Sequence, residues 1–294
     1  CYEAWVCSDK GPIKTVSANE NALFFIKSKD AEIAHKILAA ESLIFNIKSL
    51  ELKNFQQEGM SACYFKSLKH FYSAAKALKQ RGVVLFEEDI RPIERYLMER
   101  FINGEVEFSG ESRSINGVDV YTDPQLRKSS GKTNLSFMSL DIETGVKGEL
   151  YSIGIDHRDG GSTYQKVLML NSVTETHNDL LSFYSSETEL INSFIKLFCE
   201  LDPDLIMGWH VIGFDFKFLQ QKCEKLGIEF NIGRDRKRLR ISEKKGMGFF
   251  ADLPGRVILD GPPLLRSAFY QFKNFKLDTV ASEVLGIGKD IAAD

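Results

Sequence analysis

The chain has little of what staples or interrupts unusual folds. Seven prolines and 22 glycines in 294 residues exclude collagen-like and low-complexity character. Five cysteines (Cys1, Cys7, Cys63, Cys199, Cys223) are scattered, odd in number and never spaced C-x-x-C. That excludes a zinc ribbon and a disulfide framework. It fits a reducing compartment, and the expected location is the cytoplasm. Cys199 and Cys223 fall in helical patterns and are expected to be core thiols. There is no run of 18 apolar residues and no signal-peptide pattern, so no membrane partner is expected. An excess of positive charge is also missing. The net charge is -3 and the pI is near 6.1, which is not the balance of a compact basic DNA-binding module. Segregated charge can still serve nucleic acid.

What is present is ordinary globular composition, 43% hydrophobic and 27% charged, enough for one large or two ordinary domains. Residues 1–60 read as β-rich, with a turn at Asp9-Lys10-Gly11-Pro12 and a short helix from Asp30 to Ala40 that Asp30 is expected to cap. Strand, helix, strand and helix follow over 61–65, 68–80, 83–86 and 90–98, a small α/β unit. Residues 104–134 are rich in Gly, Ser, Asn, Asp and Lys and read as a linker. The expected division is a first domain over 1–134 and a second over 135–294. In the second, strand-like runs at 135–142, 149–156 and 164–170 are joined by short turns, an antiparallel meander. Helices at 188–200 and 214–226 alternate with short strands at 205–209 and 257–259. The expected fold is α+β for the first domain. The second is expected to be a ribonuclease-H-like α/β domain, a mixed sheet with a three-strand meander followed by alternating helices and strands.

The most informative stretch is Leu135 to Ile155. An apolar run ends in Asp141-Ile142-Glu143-Thr144. On a strand, side chains at i and i+2 share a face, so Asp141 and Glu143 lie about 7 Å apart on one side. A solvated acid pair is the commoner role for D-x-E. In a central strand, idle acids are unusual and a divalent cation is the usual compensation. Asp215 stands at a helix entry just after the short apolar strand 205–209. Alone it reads as a macrodipole acid. With Asp141 and Glu143 it completes a carboxylate set where α/β folds assemble their sites.

Five segments carry a resemblance. Ser139-Leu140-Asp141-Ile142-Glu143-Thr144 and Gly208-Trp209-His210-Val211-Ile212-Gly213-Phe214-Asp215 resemble the first two exonuclease motifs of family B DNA polymerases. The segments 254–260 and 275–286 continue the likeness, and Glu88 to Phe101 resembles the end of that family's N-terminal domain. The resemblance covers essentially the whole chain. It implies a proofreading 3′→5′ exonuclease ahead of a DNA-directed polymerase, acting in replication and repair. Asp141, Glu143 and Asp215 would be the catalytic metal ligands for two Mg²⁺ ions, with Mn²⁺ able to substitute. DNA is the implied partner, with a single-stranded primer 3′ end in the site. Deoxynucleotides and a sliding clamp would belong to the full-length protein.

Thr144, His210, Phe214, Arg234, Arg236, Lys237, Arg238 and Arg240 are the expected DNA contacts. The basic run 231–248 matches the family's β-hairpin, which Phe249 and Phe250 would anchor. Lys and Arg there suit phosphates without reading sequence. Two departures stand out. The third exonuclease motif, a Tyr with an Asp four residues on, is absent: Tyr270 is followed by Asn274. His210 stands where the family usually has Asn. The expectation is therefore a fragment with little activity alone. The alternatives are a stand-alone exonuclease of the same fold and a non-catalytic nucleic-acid-binding module.

Overall fold

The structure is a computed structural model; it describes residues 2–131, 133–171 and 178–288. Cys1, and Lys132 of the basic run 127–132, lie outside the described residues. Two compact units are present. One comprises residues 1–6, 13–115 and 119–133, and the other 7–12, 116–118 and 134–294.

The chain opens with β1 (Tyr2–Ser8) and β2 (Gly11–Ser17), of which residues 7, 8, 11 and 12 count with the second unit, and the first unit continues with β3 (Ala22–Lys27). Then come α1 (Ala31–Ala40), β4 (Asn46–Lys53), β5 (Gly59–Phe65), α2 (Leu68–Gln80), β6 (Leu85–Phe86) and α3 (Pro92–Met98). Strands β4-β5-β3-β6 form one antiparallel sheet in that order. Alternation places Phe24 and Ile26 of β3, with Cys63 and Phe65 of β5, on the face that packs against Leu38, Phe71 and Leu78 of the helices. Asp30 precedes α1 but makes no side-chain capping bond.

The stretch expected to be a linker is instead structured. It holds β7 (Val106–Ser109), β8 (Ser112–Ile115), β9 (Val118–Thr122) and β10 (Gln125–Lys128). β7 pairs with β10, and β9 joins β2 in parallel. Its Gly and Asn residues occupy tight turns between short strands: Asn116 and Gly117 have φ of 53° and 80°. Composition is shared by linkers and by such turns.

The second unit is organised on a six-stranded mixed sheet. Its strands are β11 (Phe137–Thr144), β12 (Leu150–Asp159), β13 (Ser162–Leu170), β14 (Leu181–Tyr184), β15 (Leu205–Gly208) and, beyond a hairpin of β16 (Arg240–Lys244) and β17 (Gly248–Asp252), β18 (Val257–Asp260). The order is β14-β13-β12-β11-β15-β18. β11, β12 and β13 form the antiparallel meander, and β15 and β18 run parallel to β11. β14, parallel to β13, has no counterpart in the sequence reading. It is four residues long and too short to show a period.

Helices α4 (Glu187–Leu201), α5 (Lys217–Leu226), α6 (Gly261–Ser267) and α7 (Leu277–Leu285) complete the unit. Met138, Leu140 and Ile142 of β11 share one core with Leu190, Ile191, Phe194 and Phe198 of α4 and with Leu219 and Cys223 of α5. Each such side chain contributes roughly 1.5–3 kcal/mol on burial. Ser186 caps α4 by accepting the Glu189 amide. Cys223 is a core thiol as expected, but Cys199 is exposed. It follows the inward Phe198 by one position, about 100° around the helix.

Candidate metal and nucleic-acid site

β11 buries Met138, Leu140 and Ile142 and exposes Ser139, Asp141 and Glu143. Asp141 and Glu143 therefore share the open face of a central strand, opposite Gly154 and Ser152 of β12. The register slips between Glu143 and Thr144, so the strand ends in an irregularity just beyond the second acid. Thr144 sits half-buried there.

Asp215 arrives from the other side. After Gly208 the chain makes a turn through His210, whose φ is 60°. It continues as a π-helical segment, Ile212–Phe216, before α5 begins. The sequence reading placed a regular helix from Phe214. The π turn shifts the phase, leaving Asp215 and Phe216 inward and Phe214 exposed. Asp215 is 2% exposed. Its Oδ1 accepts the Ile142 amide at 3.0 Å, between the two strand acids.

Burial, and then the nearby charge of Asp141, raise the Asp215 pKa to about 7, with Asp260 adding to the effect. Asp260 ends β18 beside Gly208 of β15. Its pKa is also raised by burial, against the opposing pull of the Ile212 and His210 amides. Asp215 and Asp260 thus lie at the C-terminal ends of parallel strands or just past them, where open α/β sheets form sites. Among the described residues, no three His, Cys, Asp or Glu side chains converge closely enough to hold a metal ion. The donor chemistry nevertheless suits a hard divalent cation: carboxylate oxygens, one buried and electrostatically coupled to a neighbour.

A cleft of about 710 Å³ opens beside Asp260, lined also by His210, Gly213, Phe214, Phe249 and Arg266 among others. Phe214 is 48% exposed. The β16–β17 hairpin forms one wall. Its Phe249 covers Gly213, where a Cβ would lie 2.6 Å from the ring, so only glycine allows that approach. Lys217 Nζ lies 4.4 Å over Phe249, and Lys244 Nζ lies 4.9 Å over Phe250.

The expected basic contacts divide. Arg236 and Arg238 are exposed. Lys237 pairs with Asp235 at 2.8 Å, and Arg240 pairs with Asp252 across the hairpin. Arg234 corrects the sequence reading. Its side chain is 6% exposed and donates to Asp202 at 3.1 Å and Asp204 at 2.7 Å. It also donates to the Gly255 carbonyl at 2.9 Å. A guanidinium committed in this way holds the fold together and does not meet phosphate. Composition cannot tell an arginine facing acids from one facing solvent.

Asp260 and Arg266 escaped the sequence reading as site residues. The signal for Asp260 was available: an acid at the end of a strand-like apolar run, the same context that singled out Asp141. Arg266 had no signal, since it depends on α6 lying beside the cleft.

Residues 83–280 match the family described as DNA polymerase family B, exonuclease domain, and the chain belongs to that family. Its mixed sheets and helices are consistent with a ribonuclease-H-like α/β fold. The chain corresponds to the exonuclease portion of a DNA polymerase II-like protein. It is 35% identical to DNA polymerase II of Escherichia coli (strain K12) over 293 residues, 98% of this chain and 36% of that protein. A DNA polymerase of Thermococcus sp. (strain 9oN-7) is 30% identical over 165 residues, 54% of this chain and 20% of that protein. The chain thus spans about a third or less of these relatives' lengths. The solved family B DNA polymerase of Pyrobaculum calidifontis shares the fold with a TM-score of 0.67 at 19% identity, over 98% of this chain and 38% of that one. Among the described residues, no helix is long and apolar enough to cross a membrane.

Proposed function

We propose that this chain is the proofreading region of a family B DNA polymerase and that its second domain, residues 135–294, hydrolyses the 3′-terminal phosphodiester of DNA. Residues 1–134 form its N-terminal domain. The carrying observation is that Asp215 bonds the Ile142 amide, between two strand acids that face the same side. Asp141 and Glu143 would hold the ions, with Asp215 assisting. The ions are two Mg²⁺, with Mn²⁺ as a substitute; when bound they supply an activated water and charge stabilisation for the leaving 3′ oxygen.

The chain's own groups orient the strand. Phe214, exposed in the cleft, offers a stacking face to an unpaired base. His210 lines the same cleft and offers a hydrogen bond, and Thr144, at the end of β11, offers a hydroxyl to the strand. Arg236 and Arg238, with Lys237 and Arg240 exchanging their acid partners, neutralise phosphates. The same reading assigns polymerase activity, deoxynucleotide substrates, a sliding-clamp contact and a cytoplasmic role in replication and repair to the full-length protein.

Asp141→Ala with Glu143→Ala, made in the full-length protein, is expected to abolish degradation of single strands and to spare synthesis. Joint loss of both activities would sink the reading. Calorimetry with MnCl₂ on the 294-residue chain is expected to show binding that Asp141→Ala removes.

A further inference from the structure

Asp260 lines the cleft, and both of its oxygens bind backbone. Oδ1 accepts the His210 amide at 2.8 Å, and Oδ2 accepts the Ile212 amide at 3.3 Å. These amides bracket the sharpest point of the chain between β15 and α5. His210 has φ of 60°, a left-handed conformation that strains a non-glycine residue. Gly208, two residues earlier, has no room for a side chain: a Cβ would lie 2.7 Å from Val211 Cβ and 2.8 Å from the Leu140 carbonyl oxygen. The turn is therefore pressed against β11 on one side and tied to β18 on the other. It leads directly into the π-helical segment that carries Phe214 and Asp215.

We propose that Asp260 is a positioning residue of this site: it holds the left-handed His210 turn so that Phe214 faces the cleft and Asp215 reaches the Ile142 amide. It acts through backbone, not as a metal ligand. Two amide bonds to a carboxylate are charge-assisted and stronger than neutral ones. They also place a fixed acceptor where the π segment starts, which a turn strained at His210 does not supply for itself. The inference rests on the carboxylate site proposed above for its functional consequence, but not for its structural half.

The test uses the 294-residue chain in four forms: native, Asp260→Ala, Asp260→Asn and Asp141→Ala. Amide hydrogen exchange and MnCl₂ calorimetry are the readouts. In Asp260→Ala, exchange at His210 and Ile212 is expected to accelerate at least tenfold while β12 and β13 amides keep their protection. Mn²⁺ affinity is expected to fall about tenfold, as for other residues that orient ligands from behind. Asp260→Asn keeps one oxygen, so His210 is expected to stay protected, Ile212 to exchange faster and Mn²⁺ affinity to recover in part. Asp141→Ala is expected to lose Mn²⁺ and leave both amides slow.

Unchanged exchange at both amides in Asp260→Ala overturns the proposal, and so does a uniform rise across the sheet in Asp260→Asn. Native-like Mn²⁺ binding in Asp260→Ala, with Asp141→Ala silent, overturns its functional half and leaves the metal reading intact. If the native chain binds no Mn²⁺, the metal reading fails; acceleration confined to His210 and Ile212 still supports the positioning role.

Discussion

The parallel strands β11, β15 and β18 carry acids at both ends, and the two ends treat them oppositely. At the entry end, Asp204 accepts the Ser136 amide and hydroxyl, the Cys7 thiol at 2.6 Å and Arg234 at 2.7 Å. Asp202 there holds both Arg234 and Arg256. Burial alone would raise the Asp204 pKa, yet the bonds from Cys7, Ser136 and Arg234 outweigh it and the net shift is downward. At the exit end, among the described residues, Asp215 and Asp260 receive only backbone amides, and both pKa values move upward. One sheet therefore holds a set of acids closed by arginines at one end and a set bonded to backbone amides at the other. The arginines at the entry end offset the burial of their acids, and no such cation offsets it at the exit end among the described residues.

The largest effect is expected where the closed set is broken. Asp204→Ala strips partners from Ser136, Cys7 and the 6%-exposed Arg234 at once. It is expected to cost about 3–5 kcal/mol in a denaturant titration. Asp141→Ala, on the exposed face of β11, is expected not to destabilise the metal-free chain, since it removes a charge that opposes ionised Asp215. Equal costs at the two positions would erase the distinction between the ends.

The second effect is a slope of opposite sign with pH. Asp204 has a lowered folded pKa. Its stabilisation is present above the unfolded carboxylate value and is lost as pH falls through the folded one. Asp215 has a folded pKa raised to about 7. Below about pH 4 both its states are protonated and it costs nothing. Between there and pH 7 the unfolded chain ionises first, so metal-free stability falls as pH rises. Asp215→Asn is expected to be more stable than the native chain at pH 8 by about 2–4 kcal/mol and equal to it near pH 4. Its amide oxygen still accepts the Ile142 N–H. Added Mn²⁺ is expected to close the pH 8 gap by stabilising only the native chain. A gap that is flat with pH would mean Asp215 is not the group responsible.

This contrast was only half legible in the sequence. Alternation around Asp141 and Glu143 is a property of one strand, and period-2 patterning revealed it along with the meander. Asp215 was legible as an acid after an apolar run, but the π turn that carries it inward was not. That turn depends on Gly208 fitting against Leu140 and on Asp260 from a strand 50 residues on. The ion network at the entry end was illegible for the same reason. Arg234, Arg256, Asp202, Asp204 and Cys7 meet only through the sheet order, so a basic run concealed a structural arginine. Short elements such as β14, and the turns of 104–134, fell below the length at which periodicity speaks.

The basic residues sharpen the contrast with a smaller effect. Arg236→Ala and Arg238→Ala together are expected to leave stability within about 0.5 kcal/mol. They are expected to weaken binding of a short single strand and to reduce its salt slope by about 0.7 per lost phosphate contact. Arg234→Ala is expected to destabilise instead, exposing Asp204 to burial without its cation. An unchanged salt slope in the double variant would remove the hairpin approach from the DNA path.

The smallest effect separates two left-handed residues, one at each end of β15. Asp202 closes α4 with φ of 44° and His210 opens the exit turn with φ of 60°. Asn, His and Asp are the non-glycine residues that tolerate this region best, which gives a backbone reason for a histidine at 210. Glycine relieves the strain at both positions. At Asp202 it also removes the carboxylate shared by two buried arginines, so Asp202→Gly is expected to lower the denaturant midpoint. At His210 only the strain goes, and His210→Gly is expected to gain about 0.5 kcal/mol after the extra freedom of the unfolded chain is counted. His210→Val, with a branched Cβ in the same conformation, is expected to lose about 1–2 kcal/mol. If valine is tolerated as well as glycine, the turn in solution is not left-handed, and the route by which Asp260 would act on Asp215 disappears with it.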